Sequence, residues 1–200
     1  MLKLMTIIDS CADTITQNTE ILTSLDQAIG DGDHGINLKR GFDAIKEQKS
    51  ELIELPLGKA LQSAGMKLVM SVGGASGPLY GSLLMAMGKS MPDNPNTAEI
   101  SKAFEAGVEA VKARGKSDVG QKTMLDVLIP LSEYFSANVN NVDICANMID
   151  QAQLLLESTR EMQAKKGRAS FLGERSIGHL DPGAYSSALL VKAICELEKK

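Results

Sequence analysis

Asp26, Asp31 and Asp33 place three carboxylates within eight residues, in the segment LDQAIGDGDHGIN that runs from 25 to 37. Carboxylate oxygens are hard ligands, and three on a glycine-flexed chain suit Mg²⁺ or Mn²⁺ better than a soft metal. Counting in helical steps from Ile15 through Leu22 lands on Asp26, so this anion extends an apolar stripe at the end of a helix. The negative end of the helix dipole and partial burial both disfavour a charge there unless a cation compensates it. Three protein oxygens would leave coordination positions open for phosphate and water. Two literal motif matches fail on physical grounds. Gly30 to Gly35 spell G-x-G-x-x-G, but a helix rather than a strand precedes them, and two carboxylates would repel an unaccompanied pyrophosphate. An EF-hand starting at Asp31 would have Gly35 at its fifth position and Phe42 at its twelfth, and Phe cannot chelate.

His34, Gly35, Ile36 and Asn37 open the next helix, where first-turn amides attract phosphate, although His34 taken alone fits a helix cap equally well. A second glycine-rich stretch, SVGGASGPLYGS from 71 to 82, puts Ala75, Ser76 and Gly77 before another helix. It lacks the Gly-Lys-Ser/Thr of a Walker loop and, in isolation, reads first as a tight turn between closely packed helices. Arg168 and the run His179-Leu-Asp-Pro-Gly183 form a third patch. Arg168 fits a phosphate partner and an exposed basic residue equally.

The elements that carry these residues follow from periodicity. Met5, Ile8, Ala12, Ile15, Leu22 and Leu25 predict one long amphipathic helix over about 3–27, and Leu38, Phe42 and Ile45 mark a second. Pro56 opens a third through Val69, stopped by Gly73 and Gly74, and Pro78 sits in the first turn of a fourth that runs to about Gly88. Asn96 or Thr97 caps a fifth ending at Arg114-Gly115, and 123–138 is a sixth with Pro130 as a kink. Val142 to Leu156 stripe a seventh, and the last runs from about Gly183 to Glu198. Residues 164–183 show no apolar period, and a stretch of that length inside a domain is more often functional than idle. Eight helices with mostly short connections predict an all-α, antiparallel up-and-down bundle.

Composition agrees with one domain. The 200 residues are 44% hydrophobic and 23% charged, with four Phe, three Tyr and no Trp. A net charge of −4 provides no cationic field for nucleic acid. Cys11, Cys145 and Cys195 are far apart in apolar helical patterns, which predicts packing thiols in a reducing, cytoplasmic compartment, and no apolar run reaches membrane-spanning length.

GDGDHGIN behind Asp26, then GGASGPLYG, QKTMLDVL and KGRASFLGERSIGHLDPGA, in this order and spacing, resemble the L subunits of phosphotransferase-dependent dihydroxyacetone kinases over nearly the whole chain. ATP-dependent dihydroxyacetone kinases have a similar domain behind a substrate-binding domain, and no such second domain is expected within 1–200. The resemblance implies that the eight helices close into a barrel with a nucleotide site at one end. It implies that Asp26, Asp31 and Asp33 ligate two Mg²⁺, and that His34, Gly35, Ile36, Asn37, Ala75 and Ser76 contact the phosphates of ADP. Gly115, Thr123 and Met124 would border adenine or ribose, with Arg168, Asp181, Pro182 and Gly183 closing over the nucleotide. It further implies a tightly held ADP/ATP that a phosphohistidine donor subunit of the sugar phosphotransferase system phosphorylates in place, for transfer to dihydroxyacetone on a K subunit. The charges agree: roughly −3 from ADP and −3 from the aspartates leave room for the roughly +4 of two Mg²⁺. No hydroxyl-activating residue is assigned in this chain. A homodimer, a nucleotide-sensing regulatory module and a free-standing ATP-dependent kinase of another small polyol remain open alternatives.

Overall fold

Residues 2–29 form two helices, α1 (Leu2–Gln17) and α2 (Thr19–Ile29), where the apolar stripe predicts one. The stripe is indifferent to a one-residue break, and the cause is local. Asn18 Nδ2 donates to the carbonyl of Thr14 at 2.8 Å and Thr19 Oγ1 to that of Ile15 at 2.9 Å, so side chains compete for the acceptors that would carry the helix onward. The computed structural model describes residues 2–199. Among them follow α3 (His34–Glu47), the one-turn α4 (Lys49–Leu52), α5 (Leu57–Ser71), α6 (Ser76–Ser90), α7 (Thr97–Gly115), α8 (Leu125–Ala137), α9 (Ile144–Ser158) and α10 (Pro182–Cys195). Counting α1 and α2 as one bent element and setting α4 aside gives the expected eight, and the described residues contain no strand.

Two helix starts, those of α7 and α10, carry side-chain caps among the described residues. Asn96 and Glu99 make a reciprocal capping box at the start of α7, and α8 continues through Pro130. Asp181 caps α10 by accepting from the Ala184 amide at 2.7 Å, with Pro182 in the first turn, where its missing N–H costs nothing. The stretch 164–181 is not featureless: Arg168–Ser176 is 3₁₀-helical, kinked at Gly173.

Contacts run α1 to α3, α3 to α5, then α5, α6, α7, α8, α9 and α10 in succession, and α10 also packs on α1. The closest pairing is α5 with α6. Gly58 and Gly65 on one helix oppose Gly88 and Gly81 on the other, seven residues apart on each; a Cβ on Gly65 would lie 2.7 Å from the Gly81 carbonyl oxygen, and one on Gly58 2.6 Å from that of Gly88. Only glycine allows two helix backbones to approach this far, and the seam fixes the Val72–Ala75 turn between them. Ile15, Leu22, Leu38, Leu68, Val111 and Leu125 fill one apolar cluster, and Val127, Leu131, Leu156 and Ala184 belong to a second between α8, α9 and α10. No helix among the described residues is long and apolar enough to cross a membrane.

Candidate functional site

At one end of the bundle, where α2 gives way to α3, α5 to α6 and α7 to α8, a cleft of about 470 Å³ opens. One wall carries the acidic cluster. Asp26, Asp31 and Asp33 each offer a carboxylate oxygen, all within 4.8 Å of one another. Asp26 is the best anchored: its Oδ2 accepts from the backbone amides of Asp33 at 2.9 Å and His34 at 3.1 Å. Two N–H groups at the positive end of α3 therefore share the compensation that the sequence assigns to a cation alone. A side chain on Gly30 would collide with the Asp26 carboxylate, so glycine there is a condition of the cluster. Asp31 Oδ2 meets Arg168 at 3.0 Å, which brings the 3₁₀ segment to the mouth. Three hard anions held together at the edge of a cleft, with one guanidinium among them, form a donor set that fits Mg²⁺.

His34 lies in the floor, buried. Its Nδ1 is 3.0 Å from Ser76 Oγ and its Nε2 3.0 Å from Ser186 Oγ. Both ring nitrogens thus have a serine hydroxyl as partner, and the neutral imidazole is satisfied in either tautomer, donating to one serine and accepting from the other. Burial pushes the imidazole down to about 4. Tyr80 extends the network, with its hydroxyl 2.7 Å from Ser186 and 2.9 Å from Ser187. His34 thus joins α3, α6 and α10, the three helices whose N-termini meet at the cleft.

The far wall is built by the loop before α8. Asp126, buried, accepts from the Gly120 amide at 2.5 Å and the Thr123 amide at 2.7 Å, folding 117–124 into a rim. Burial, reinforced by the neighbouring Asp126 charge, pushes the Asp181 carboxyl up to about 7.

Asp26, Asp31, Asp33, His34, Ala75, Ser76, Gly115, Thr123, Met124, Arg168, Asp181, Pro182 and Gly183 all line this cleft. Three further candidates lie outside its lining. Gly35 is buried against α2, Ile36 is 52% exposed, and Asn37 sits behind the site, where its side chain packs beside Gly73. The Asn37 amide is already bound to the Asp33 carbonyl at 2.9 Å, whereas first-turn amides such as those of Gly35 and Ile36 lack intrahelical acceptors. What these two can offer the site is backbone, not side chain. Lys122 lines the cleft and has no place among the sequence candidates, although it stands in the QKTMLDVL motif.

Comparison with known proteins gives the same answer along the whole chain. The DAK2 domain matches residues 28–196. A PEP-dependent dihydroxyacetone kinase 1 ADP-binding subunit DhaL from Listeria innocua is 44% identical, over 96% of this chain and 93% of that protein. The corresponding ADP-binding subunit DhaL of Escherichia coli K12 is 39% identical, over 95% and 93%. The crystal structure of the dihydroxyacetone kinase from C. freundii in complex with AMP-PNP and Mg²⁺ superposes with a TM-score of 0.79 at 25% identity, covering 98% of this chain and 34% of that one. With four motifs, one cleft and near full-length similarity in agreement, the chain belongs to the DAK2 domain family and, within it, is a relative of the dihydroxyacetone kinase L subunits.

Proposed function

We propose that this chain is the nucleotide-bearing L subunit of a phosphotransferase-system-dependent dihydroxyacetone kinase. The observation that carries the reading is the acidic cluster on one wall of a cleft whose other walls present helix N-termini, a geometry that suits a metal-bound polyphosphate. Residues 1–200 act as one L-type domain. When bound, ADP with two Mg²⁺ supplies the phosphoryl-carrying group, taking phosphate from a phosphohistidine donor subunit and passing it to dihydroxyacetone on the K subunit. The chain's own residues position and neutralise, which is most of what phosphoryl transfer asks of a protein. Asp26, Asp31 and Asp33 hold the cations. Ala75, Ser76 and the first turn of α3 offer amides to the phosphates, with His34 keeping their helices in register. Gly115, Thr123 and Met124 would border the nucleoside, and Arg168, ion-paired to Asp31, would close over the nucleotide with Asp181, Pro182 and Gly183. The setting is cytoplasmic, with transient docking to both subunits; sedimentation of the purified chain distinguishes a homodimer from a monomer.

The test is the ultraviolet spectrum of the extensively dialysed protein, followed by anion-exchange chromatography of what acid releases. Without Trp, the chain absorbs weakly at 280 nm, and one adenine stands out. Near-stoichiometric ADP, lost on chelation, is the expected result. A clean protein spectrum refutes a resident nucleotide.

A further inference from the structure

Lys122 is 1% exposed, the largest fully buried side chain among the described residues, and its backbone is left-handed at φ +59°. A lysine seldom takes that conformation or that burial, and both here serve one contact set. Its Nζ donates to the carbonyl oxygens of Thr159 at 2.7 Å, Met162 at 3.1 Å and His179 at 2.5 Å. An ammonium has three N–H donors, so none remains for a phosphate. Although it faces the cleft, this is not a phosphate-binding lysine.

The three carbonyls mark the two ends of one excursion. Met162 is where the chain leaves the 3₁₀ turn after α9, and His179 is where it returns to α10. Around the same point, the Gly178 amide donates to the Arg160 carbonyl at 2.8 Å, the Lys165 amide to that of Gln121 at 3.0 Å, and the Ala164 amide to Ser176 Oγ at 2.8 Å. Residues 163–178 are thereby pinched at the base. From this segment Arg168 reaches Asp31, with its own side chain 69% exposed and that ion pair as its tie to the acidic wall. An exposed guanidinium on a 3₁₀ turn is held in place by its base.

Resting on the function proposed above, we infer that Lys122 is a positioning residue for phosphoryl transfer, its buried ammonium binding the Thr159, Met162 and His179 carbonyls so that the 163–178 segment presents Arg168 at the acidic cluster. Lys122 acts through Arg168 and leaves nucleotide binding largely to the other walls.

The experiment is a double-mutant cycle of Lys122→Met and Arg168→Ala in the full chain, assayed for dihydroxyacetone phosphate formation with the K subunit and phosphorylated donor, alongside amide hydrogen exchange. Lys122→Met is expected to lower kcat at least about tenfold while ADP retention changes by less than about threefold, a split that a general loss of folding would not produce. In the Arg168→Ala background the same substitution is expected to cost less than about twofold. Exchange at 163–178 is expected to rise while that of α5 and α6 stays level. Independent, multiplicative effects of the two substitutions, or unchanged exchange at 163–178, overturn the assignment. If Lys122→Met does not fold, Lys122→Gln, which keeps a donor head, is read in the same cycle. The hydrogen-exchange arm needs no nucleotide and no transfer, so a parent protein that failed to carry phosphate would refute the proposed function while leaving the clamp tested.

Discussion

Gly35 sits in the motif that points to phosphate, yet its strongest constraint lies behind the site. A Cβ on Gly35 would stand 2.5 Å from Thr23 Oγ1 and 2.9 Å from the Thr23 nitrogen, and closer still to the Thr19 carbonyl oxygen. The nearest atom is backbone in α2, so no rotamer change relieves it. Gly35→Ala must push α2 from α3, an overpacking that costs ~1–3 kcal/mol, offset by ~0.5–1 kcal/mol from the backbone freedom that alanine does not lose on folding. The net spans about 0–2.5 kcal/mol, and a backbone atom as nearest neighbour puts Gly35→Ala in its upper part, about 1–2.5 kcal/mol, which for a chain of this size lowers Tm by about 2–10 °C. Thr23 adds an internal control, because its Oγ1 is buried without a hydrogen-bond partner among the described residues. Thr23→Ala removes one of the collisions and leaves the Thr19 carbonyl in place, so it rescues Gly35→Ala in part and never fully. Because Asp26 rides on α2 and is hydrogen bonded to the amides of Asp33 and His34, separation of the two helices also disrupts the acidic cluster, and ADP retention falls with stability. The assay is calorimetric unfolding of the nucleotide-free protein together with nucleotide content as purified. Gly35→Ala with an unchanged Tm and reduced ADP content would refute the packing argument and return Gly35 to a purely phosphate-binding role.

Three further outcomes follow from the same structure. Asp31→Asn removes a full charge from the cluster and one partner from Arg168, and is expected to lower bound Mg²⁺ and ADP by at least about tenfold in affinity, measured by metal analysis and isothermal titration; undiminished content counts against the metal site. Asp181 has a folded-state pKa raised to about 7, so the folded protein keeps a proton between about pH 4 and pH 7 that the unfolded chain has lost, and stability declines as pH rises through that window. His34, lowered to about 4, acts in the opposite sense, losing stability as pH falls from about 6.5 to 4. The two slopes oppose each other over about pH 4–6.5, and Asp181→Asn, which retains an acceptor for the Ala184 amide, is expected to gain on the parent from pH 4 to 7 and to run parallel above; a constant gap across chemical denaturation curves would rule this out. Burial pushes the Cys11 thiol up to about 12, so at pH 8 it is expected to stay unmodified by a thiol reagent in the folded protein and to react in denaturant; rapid native labelling of Cys11 would contradict this.

Amphipathic period and punctuation make most of this architecture legible in the residues alone, because each long helix buries one face and stops at Gly, Pro or a polar cap. The break at Asn18 escapes that reading, since it depends on side chains taking the carbonyls of Thr14 and Ile15, which leaves the apolar stripe intact. Asp31 and Asp33 are legible only together with Asp26, because acidic residues beside glycines are ordinary in a turn until a third carboxylate extends the apolar stripe of the preceding helix. Arg168 is legible only through the resemblance, for nothing local distinguishes an arginine that spans to Asp31 from one that points to water. Lys122 is the instructive miss: a lysine between Gln and Thr looks like surface, and its burial is set by carbonyls 37, 40 and 57 residues downstream. Gly35 shows the reverse case, a motif residue that is also constrained by the helix behind it.

The glycine seam between α5 and α6 separates what is replaceable from what is useful. Gly58, Gly65, Gly81 and Gly88 touch no ligand-facing group, yet each holds two helix backbones at a distance that any side chain would increase. In a saturation library selected only for activity, these four positions would be as intolerant as the aspartates, and a map of tolerance would draw a second hot stripe down the flank of the bundle, away from the chemistry. The two stripes separate only when abundance is scored beside turnover: seam variants would vanish from the soluble fraction, whereas cluster variants would accumulate as folded, silent protein.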